Sequence, residues 1–181
     1  MHASNNNPGE TLSEEFIRVA RLELTQDFAK IRKALHRLDA DQFWVRTHEA
    51  ENTNGNLLLH LRGNIRQWII SGIGDVADSR DRDAEFAARG GVDSAELVET
   101  LGLTLEEAFG VLDGLTAEDL LRKKRFQVYD LTVMHAIFHV VEHFGEHTGQ
   151  ILWAVKRITG QDLGFFNYLS PGATGGGEGR P

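Results

Sequence analysis

The sequence predicts an all-α protein, more narrowly a four-helix bundle. Apolar residues recur every three or four positions in four separate segments, which is the period of an amphipathic helix. No two strand-like runs flank a turn sequence typical of a β-hairpin. Four helices that bury their apolar faces against one another are the simplest architecture for this pattern.

The four predicted helices are separated by polar or glycine-containing connections. They extend over about residues 11–38, 54–71, 94–112 and 131–159. Thr53 or Asn54 can cap the second helix, and Gly160 stands where the fourth is expected to end. The connection from Gly72 to Gly91 contains the run 78–83 of alternating charge, which is typical of a solvated or salt-bridged loop.

Length and composition indicate one domain. The chain has 181 residues, of which 41% are hydrophobic and 25% are charged, as in ordinary globular proteins. The polar residues 1–10 and the Gly/Pro-rich residues 170–181 cannot bury much apolar surface, so we expect two flexible tails. The helical domain is therefore predicted over residues 11–169.

The charge balance bears on partners and location. Acidic residues outnumber basic ones by 27 to 19, for a net charge of −8, which argues against nucleic-acid or anionic-membrane partners. The basic run 122–125 is interpreted as a solvated connection. Because the first residues lack the apolar core of a signal peptide and no apolar run is long enough to span a bilayer, we expect a cytoplasmic protein.

The chain contains no cysteine. This absence excludes disulfides, iron–sulfur clusters, thiolate-bound zinc and a cysteine nucleophile. Any metal ion must be bound by His, Asp or Glu.

Histidines are concentrated in the fourth predicted helix, at positions 135, 139, 143 and 147. A spacing of four places successive side chains one helical turn apart, close enough for two imidazoles to share one metal ion. On a helical projection His143 and His147 lie beside the apolar face, whereas His135 and His139 turn towards the polar side. His143 and His147 are therefore the better candidate pair.

His60 is the candidate third ligand, because it borders the apolar face of the second predicted helix. Three histidines with an open position are typical of a catalytic metal site. A histidine at the border of a helix is also commonly just hydrogen-bonded to a carbonyl or water. Both interpretations of His60 stay open on spacing alone.

Two other metal sites can be weighed against this one. Residues 143–147 match H-x-x-E-H, the inverted zinc-protease signature, but only Asp162 and Glu178 follow as acidic ligands and the chain is short for a protease chamber. A di-iron bundle requires Glu-x-x-His on two helices, and no glutamate here has a histidine three residues later.

Two segments, Asn56–Trp68 with His60-Leu61 and His139–Ile151 with H-x-x-x-H-x-Gly-Gln, resemble the DinB/YfiT-like superfamily, and more narrowly a largely uncharacterised branch of it. The resemblance extends over roughly residues 12–169 and includes the connection Arg80-Asp81-Arg82-Asp83 followed by Glu85-Phe86. It implies an up-down-down-up four-helix bundle, often dimeric, that holds one divalent metal ion through His60, His143 and His147.

Characterised relatives include transferases and an isomerase that use a low-molecular-weight thiol such as bacillithiol or mycothiol. We therefore expect a metal-dependent enzyme that holds zinc or nickel and transfers such a thiol to a small electrophile, as a homodimer. One alternative is a metal-dependent hydrolase. The other is a non-catalytic, dimerising stress-response module, in which Gly145 and Gly149 permit a close helix contact.

Four side chains near the candidate ligands carry expectations of their own. Gln150, three residues after His147, can orient an imidazole, since a metal-bound histidine usually donates its other N–H to an acceptor. Trp68, Phe138 and Trp153 are expected in the core or at an interface rather than stacked on a substrate.

Overall fold

The computed structural model describes residues 8–165 and residue 167, and this part of the chain is mostly helical. Its helices are α1 (Pro8–Leu35), α2 (Ala40–Phe43), α3 (Asn54–Ile65), α4 (Arg82–Ala87), α5 (Ser94–Leu112), α6 (Ala117–Leu121) and α7 (Val133–Thr159). A π-helical turn, Arg66–Ser71, continues α3. Two strands, β1 (Lys123–Phe126) and β2 (Tyr129–Thr132), lie between α6 and α7. The prediction of a helical protein is confirmed at this level.

The four longest helices pack around a shared apolar core. α1 lies along α7, α3 lies along α5, and α3 also contacts α7. Fully buried side chains come from all four helices, among them Leu24, Ile31, Leu61, Leu101, Val140 and Ile151. This packing brings the faces of α3 and α7 that carry histidines towards each other.

The predicted helix ends are correct for α5 and for the end of α7, but α7 begins at Val133 because Leu131 and Thr132 belong to the preceding strand β2. Thr53 caps α3 by accepting from the backbone N–H of Asn56, and Gly160 ends α7 with a φ of 66°. α1 begins at Pro8, before the predicted start at Thr11, and ends at Leu35. The other residues of the predicted tails, 1–7 and 170–181, lie outside the described part of the chain.

A β-hairpin precedes α7, so the prediction that the chain has no hairpin is wrong. Phe126 of β1 pairs with Tyr129 of β2 across a two-residue turn in which Gln127 has a φ of 51°. Turns of this kind usually contain glycine or asparagine, and Gln127-Val128 gives no such signal. The side chain of Phe126 is buried and stacks on Trp68, with ring centroids 5.5 Å apart.

The hairpin also corrects the interpretation of the basic run 122–125. Most of this run forms β1 instead of a connection, while Arg122, Lys123 and Arg125 are exposed to solvent as expected. The Lys124 amine donates to the backbone oxygen of Ile73 (3.1 Å) and to Asp75 (2.7 Å), which ties the hairpin to the end of the π-helical turn. Within the described residues, no helix is long and apolar enough to cross a membrane.

Candidate metal centre

Three histidines meet between α3 and α7. Nε2 of His143 lies 3.1 Å from Nε2 of His60 and 3.2 Å from Nε2 of His147. These are the three residues that the sequence analysis singles out, and within the described part of the chain they form a group whose nitrogens could hold one ion. His135 and His139 do not join this group.

The positions of the three side chains follow from their helices. His143 and His147 are one turn apart on α7, and their rings lie edge to face with centroids 4.4 Å apart. His60 projects from the middle of α3, where its residue is only 5% exposed. The two helices bury apolar residues above and below the histidines. The backbone positions of all three histidines are therefore fixed.

Glu85 holds the outer nitrogen of His60. Nδ1 of His60 donates to Oε2 of Glu85 at 3.0 Å. A carboxylate that accepts from Nδ1 places the imidazole proton there and leaves Nε2 with a free lone pair. The ring of His60 is therefore oriented, and its tautomer fixed, for ligation through Nε2.

Arg80 holds Glu85 in turn. Its guanidinium donates from Nε to Oε1 (2.7 Å) and from Nη2 to Oε2 (2.9 Å), and its side chain is only 4% exposed. Nη2 also lies 3.0 Å from Nδ1 of His60, and both groups donate to the carboxylate between them. Oε1 of Gln67 accepts from Nη1 of Arg80 at 3.0 Å.

Arg80 and Glu85 belong to the candidate site, although the sequence predicts no role for either residue. Both lie in the charged connection after Gly72, which was interpreted as solvated or salt-bridged. The salt bridge is present, but it is buried against α3 instead of solvated. Gly63 makes room for it, since a Cβ at that position would collide with Oε1 of Glu85.

His147 has a similar outer partner. Its Nδ1 donates to Oε1 of Gln150 at 3.0 Å, as the sequence analysis expects of Gln150. Nδ1 of His143 is buried and, within the described residues, has no hydrogen-bond partner. Nε2 of His60 and Nε2 of His147 therefore both present lone pairs to Nε2 of His143, which can carry at most one proton.

The environment favours the neutral form of His143 and of His147. Burial, together with the nearby rings of His147 and His60, lowers the pKa of His143 from 6.5 to about 3. Burial also lowers the pKa of His147, although the hydrogen bond to Gln150 opposes this effect. Burial acts to raise the pKa of Glu85, but the hydrogen bonds from Arg80 and His60 outweigh it and keep the carboxylate ionised.

The arrangement fits a divalent metal ion. Two nitrogens at about 2.0–2.1 Å from one zinc ion, at a tetrahedral angle, are about 3.3 Å apart. The separations of 3.1 and 3.2 Å are close to that value. Converging imidazole nitrogens, two of them oriented by a carboxylate and an amide, are the donor set that such ions require.

An open cleft of about 480 Å³ adjoins His60 and His143. Its walls come from α3, the π-helical turn, the start of α4, the hairpin and α7, and include Trp68, Arg82, Tyr129, His139 and His143. His139 packs against Trp68 with ring centroids 4.2 Å apart, and burial lowers its pKa. The volume is within the range typical of small-molecule sites.

Other expectations for α7 have mixed outcomes. A Cβ on Gly145 would lie 3.3 Å from the carboxylate of Asp27, so this glycine faces α1 of the same chain. Gly149 has open space beside it. Phe138 and Trp153 are 60% and 62% exposed and so do not belong to the core. Their place at an interface stays a prediction.

Comparison with known proteins gives a family and a fold. A family model described as "Protein of unknown function (DUF1572)" matches residues 11–170. A solved structure, described as that of a conserved protein of a locus from Enterococcus faecalis, is similar with a TM-score of 0.67 and 13% identity. The match covers 80% of this chain and 97% of that chain. No curated protein matches the chain.

Proposed function

Because the chain belongs to the DUF1572 family, whose description names no activity, we propose a function from the site itself: a metal-dependent enzyme whose ligands are His60, His143 and His147. The convergence of their Nε2 atoms, with Nδ1 of His60 and of His147 each bound to an outer acceptor, carries the proposal. Without a cation, lone pairs would face one another in a partly buried site.

A catalytic site is favoured over a structural one. Three protein ligands leave at least one position open, and the cleft gives a small molecule access to that position. A divalent cation held there would lower the pKa of a thiol or a water molecule and so supply a nucleophile at neutral pH. The residues around it orient the ligands, and the cleft receives the electrophile.

The finer assignment rests on the resemblance to the DinB/YfiT-like superfamily. It comprises an up-down-down-up four-helix bundle, zinc or nickel as the ion, transfer of a low-molecular-weight thiol to a small electrophile, a homodimer and a cytoplasmic location. The DUF1572 match is consistent with this superfamily. Hydrolysis, with water in place of the thiol, is the second candidate, because the same open position would serve it.

Paired assays on zinc-loaded protein separate these candidates. One assay follows the reaction of bacillithiol or mycothiol with 1-chloro-2,4-dinitrobenzene, and the other follows hydrolysis of 4-nitrophenyl acetate without thiol. Thiol-dependent turnover that is lost in His143→Ala and kept in His48→Ala, at an exposed histidine away from the cleft, supports the transferase. Turnover of the ester alone supports the hydrolase, and turnover in neither assay favours the non-catalytic module.

A further inference from the structure

The cleft beside the three histidines differs in charge from the rest of the protein. The whole chain has a net charge of −8. Among the described residues, those that line this cleft include two arginines and no aspartate or glutamate. A cavity without carboxylates on an acidic protein indicates a ligand that carries negative charge.

The two arginines are in different situations. Arg80 is neutralised by its paired contacts with Glu85. Arg82 forms no ion pair within the described residues, and its side chain is exposed at the cleft. The neighbouring carboxylate of Asp81 is used to cap α4, where it accepts from the backbone N–H of Ala84 at 3.0 Å.

Aromatic stacking holds Arg82 near the metal ligands. Its guanidinium carbon lies 4.9 Å from the ring centroid of Phe86. The same ring packs against His60, with centroids 4.7 Å apart. A stacked guanidinium keeps its N–H groups free at the edge of the plane, where they can donate to a carboxylate or a phosphate. The Phe86 ring therefore contacts both the guanidinium of Arg82 and His60, a proposed ligand of the metal ion.

The rest of the cleft lining includes aromatic and apolar side chains that can contact the body of the ligand, although Trp68 itself is only 4% exposed. Trp68, His139 and Leu131 line the cleft. Within the described residues, the buried indole N–H of Trp68 has no acceptor. Tyr129, which is 54% exposed, adds a phenolic hydroxyl at the mouth.

We propose that this cleft binds a small organic anion, bearing a carboxylate or a phosphate, with the anionic group on Arg82 and the opposite end directed towards the three histidines. The proposal deepens the proposed function by giving the charge class of its substrate. Binding of the anionic group to Arg82 does not depend on the metal ion. Only the reaction at the opposite end of the ligand rests on the proposed function.

Metal-free protein provides the test, because an anion that ligates the metal ion could not then be mistaken for one bound by Arg82. The probes are benzoate and phenyl phosphate, which distinguish carboxylate from phosphate, with uncharged benzamide as the control. The indole N–H signals of the three tryptophans are followed by nuclear magnetic resonance. Trp44→Phe and Trp153→Phe assign the signal of Trp68.

Wild-type protein should show a saturable shift of the Trp68 signal with at least one anion and weaker binding of benzamide. Arg82→Gln should weaken anion binding about fivefold, the scale expected for an exposed charge-assisted contact, and leave benzamide unchanged. Arg82→Lys should be intermediate. Arg18→Gln, at an exposed arginine on α1 paired with Glu15, should behave as wild type.

Equal anion affinities in wild type and Arg82→Gln would overturn the proposal. So would benzamide binding as tightly as benzoate, or no saturable shift with either anion. Anion binding that depends on Arg82 in a protein unable to bind zinc would support the anion site and contradict the proposed metal chemistry.

Discussion

Glu85 is the residue on which the geometry of His60 depends most. It accepts from Nδ1 of His60 at 3.0 Å while two hydrogen bonds from Arg80 hold its carboxylate in place. An acceptor of this kind fixes the tautomer and the ring orientation of a metal-binding histidine. The affinity for the metal ion should therefore depend on a residue that does not touch it.

Glu85→Gln should weaken zinc binding about 10- to 100-fold, since the amide is a weaker acceptor for Nδ1–H than the carboxylate. Competition with a chromogenic zinc chelator measures the affinity. The matched control is Glu107→Gln, which removes a half-exposed partner of Arg66 instead. Equal zinc affinities in the two variants would contradict the role of Glu85.

The low pKa of His143 predicts a pH dependence of stability in metal-free protein. In the unfolded chain this imidazole takes up a proton near pH 6.5, whereas in the folded protein it does so at about 3. Between these values the unfolded state binds more protons, so the free energy of unfolding should fall as the pH falls. Urea unfolding at pH 7 and pH 5 measures this change.

His143→Gln removes the titrating group and should lose less stability than wild type between pH 7 and pH 5. His135→Gln, which changes an exposed histidine on the same helix, should follow wild type. The interpretation is wrong if both variants show the same pH dependence as wild type.

At the scale of elements, α3 must let the charged connection approach closely. Gly63, one turn after His60, leaves the space that the Glu85 carboxylate occupies, and Nε of Arg80 would be 2.9 Å from a Cβ at this position. Helix propensity alone favours alanine over glycine by about 1 kcal/mol in a helix interior. Packing against Glu85 should reverse that preference here.

Gly63→Ala should therefore lower both the free energy of unfolding and the affinity for zinc. Gly110→Ala provides the control, because Gly110 lies on an exposed part of α5 with open space around it. It should raise the free energy of unfolding by about 0.5–1 kcal/mol. Chemical denaturation measures both, and a stabilised Gly63→Ala would show that Glu85 has room to move.

Besides the contacts of Lys124, a buried ring attaches the hairpin to the helices. Phe126 is 3% exposed and stacks on Trp68, whose other neighbour is His139. Phe126→Ala should lower the free energy of unfolding by about 3–5 kcal/mol, the usual cost of removing a buried phenylalanine ring. Val128→Ala, at a turn residue that is 67% exposed, should change it by less than about 0.5 kcal/mol. Urea denaturation that gives similar losses for both would contradict this attachment.

At the scale of the whole molecule, the sequence predicted those features that depend on neighbouring residues alone. The period of apolar residues located the four long helices, and Thr53 and Gly160 marked ends that depend on neighbouring residues alone. The same period placed His60, His143 and His147 beside apolar faces. Helices that bury those faces against one another bring the histidines together.

Long-range contacts account for what the sequence did not reveal. Arg80 and Glu85 become buried only because a segment that is hydrophilic by composition folds over Gly63. The hairpin is stabilised by Phe126 on Trp68, 58 positions earlier in the chain, and not by its turn. Neither contact has a local signature, since each depends on residues that are distant in the sequence.

The central claim, that three histidines hold one divalent ion, is tested most directly by elemental analysis. Untagged wild-type protein, purified without added metal or chelator, is compared with His60→Ala and His143→Ala, and with His135→Ala as the control on the same helix. We predict about one divalent ion per chain in wild type and His135→Ala and almost none in the other two. Well-folded wild-type protein that contains no metal and fails to bind added zinc or nickel would contradict the claim.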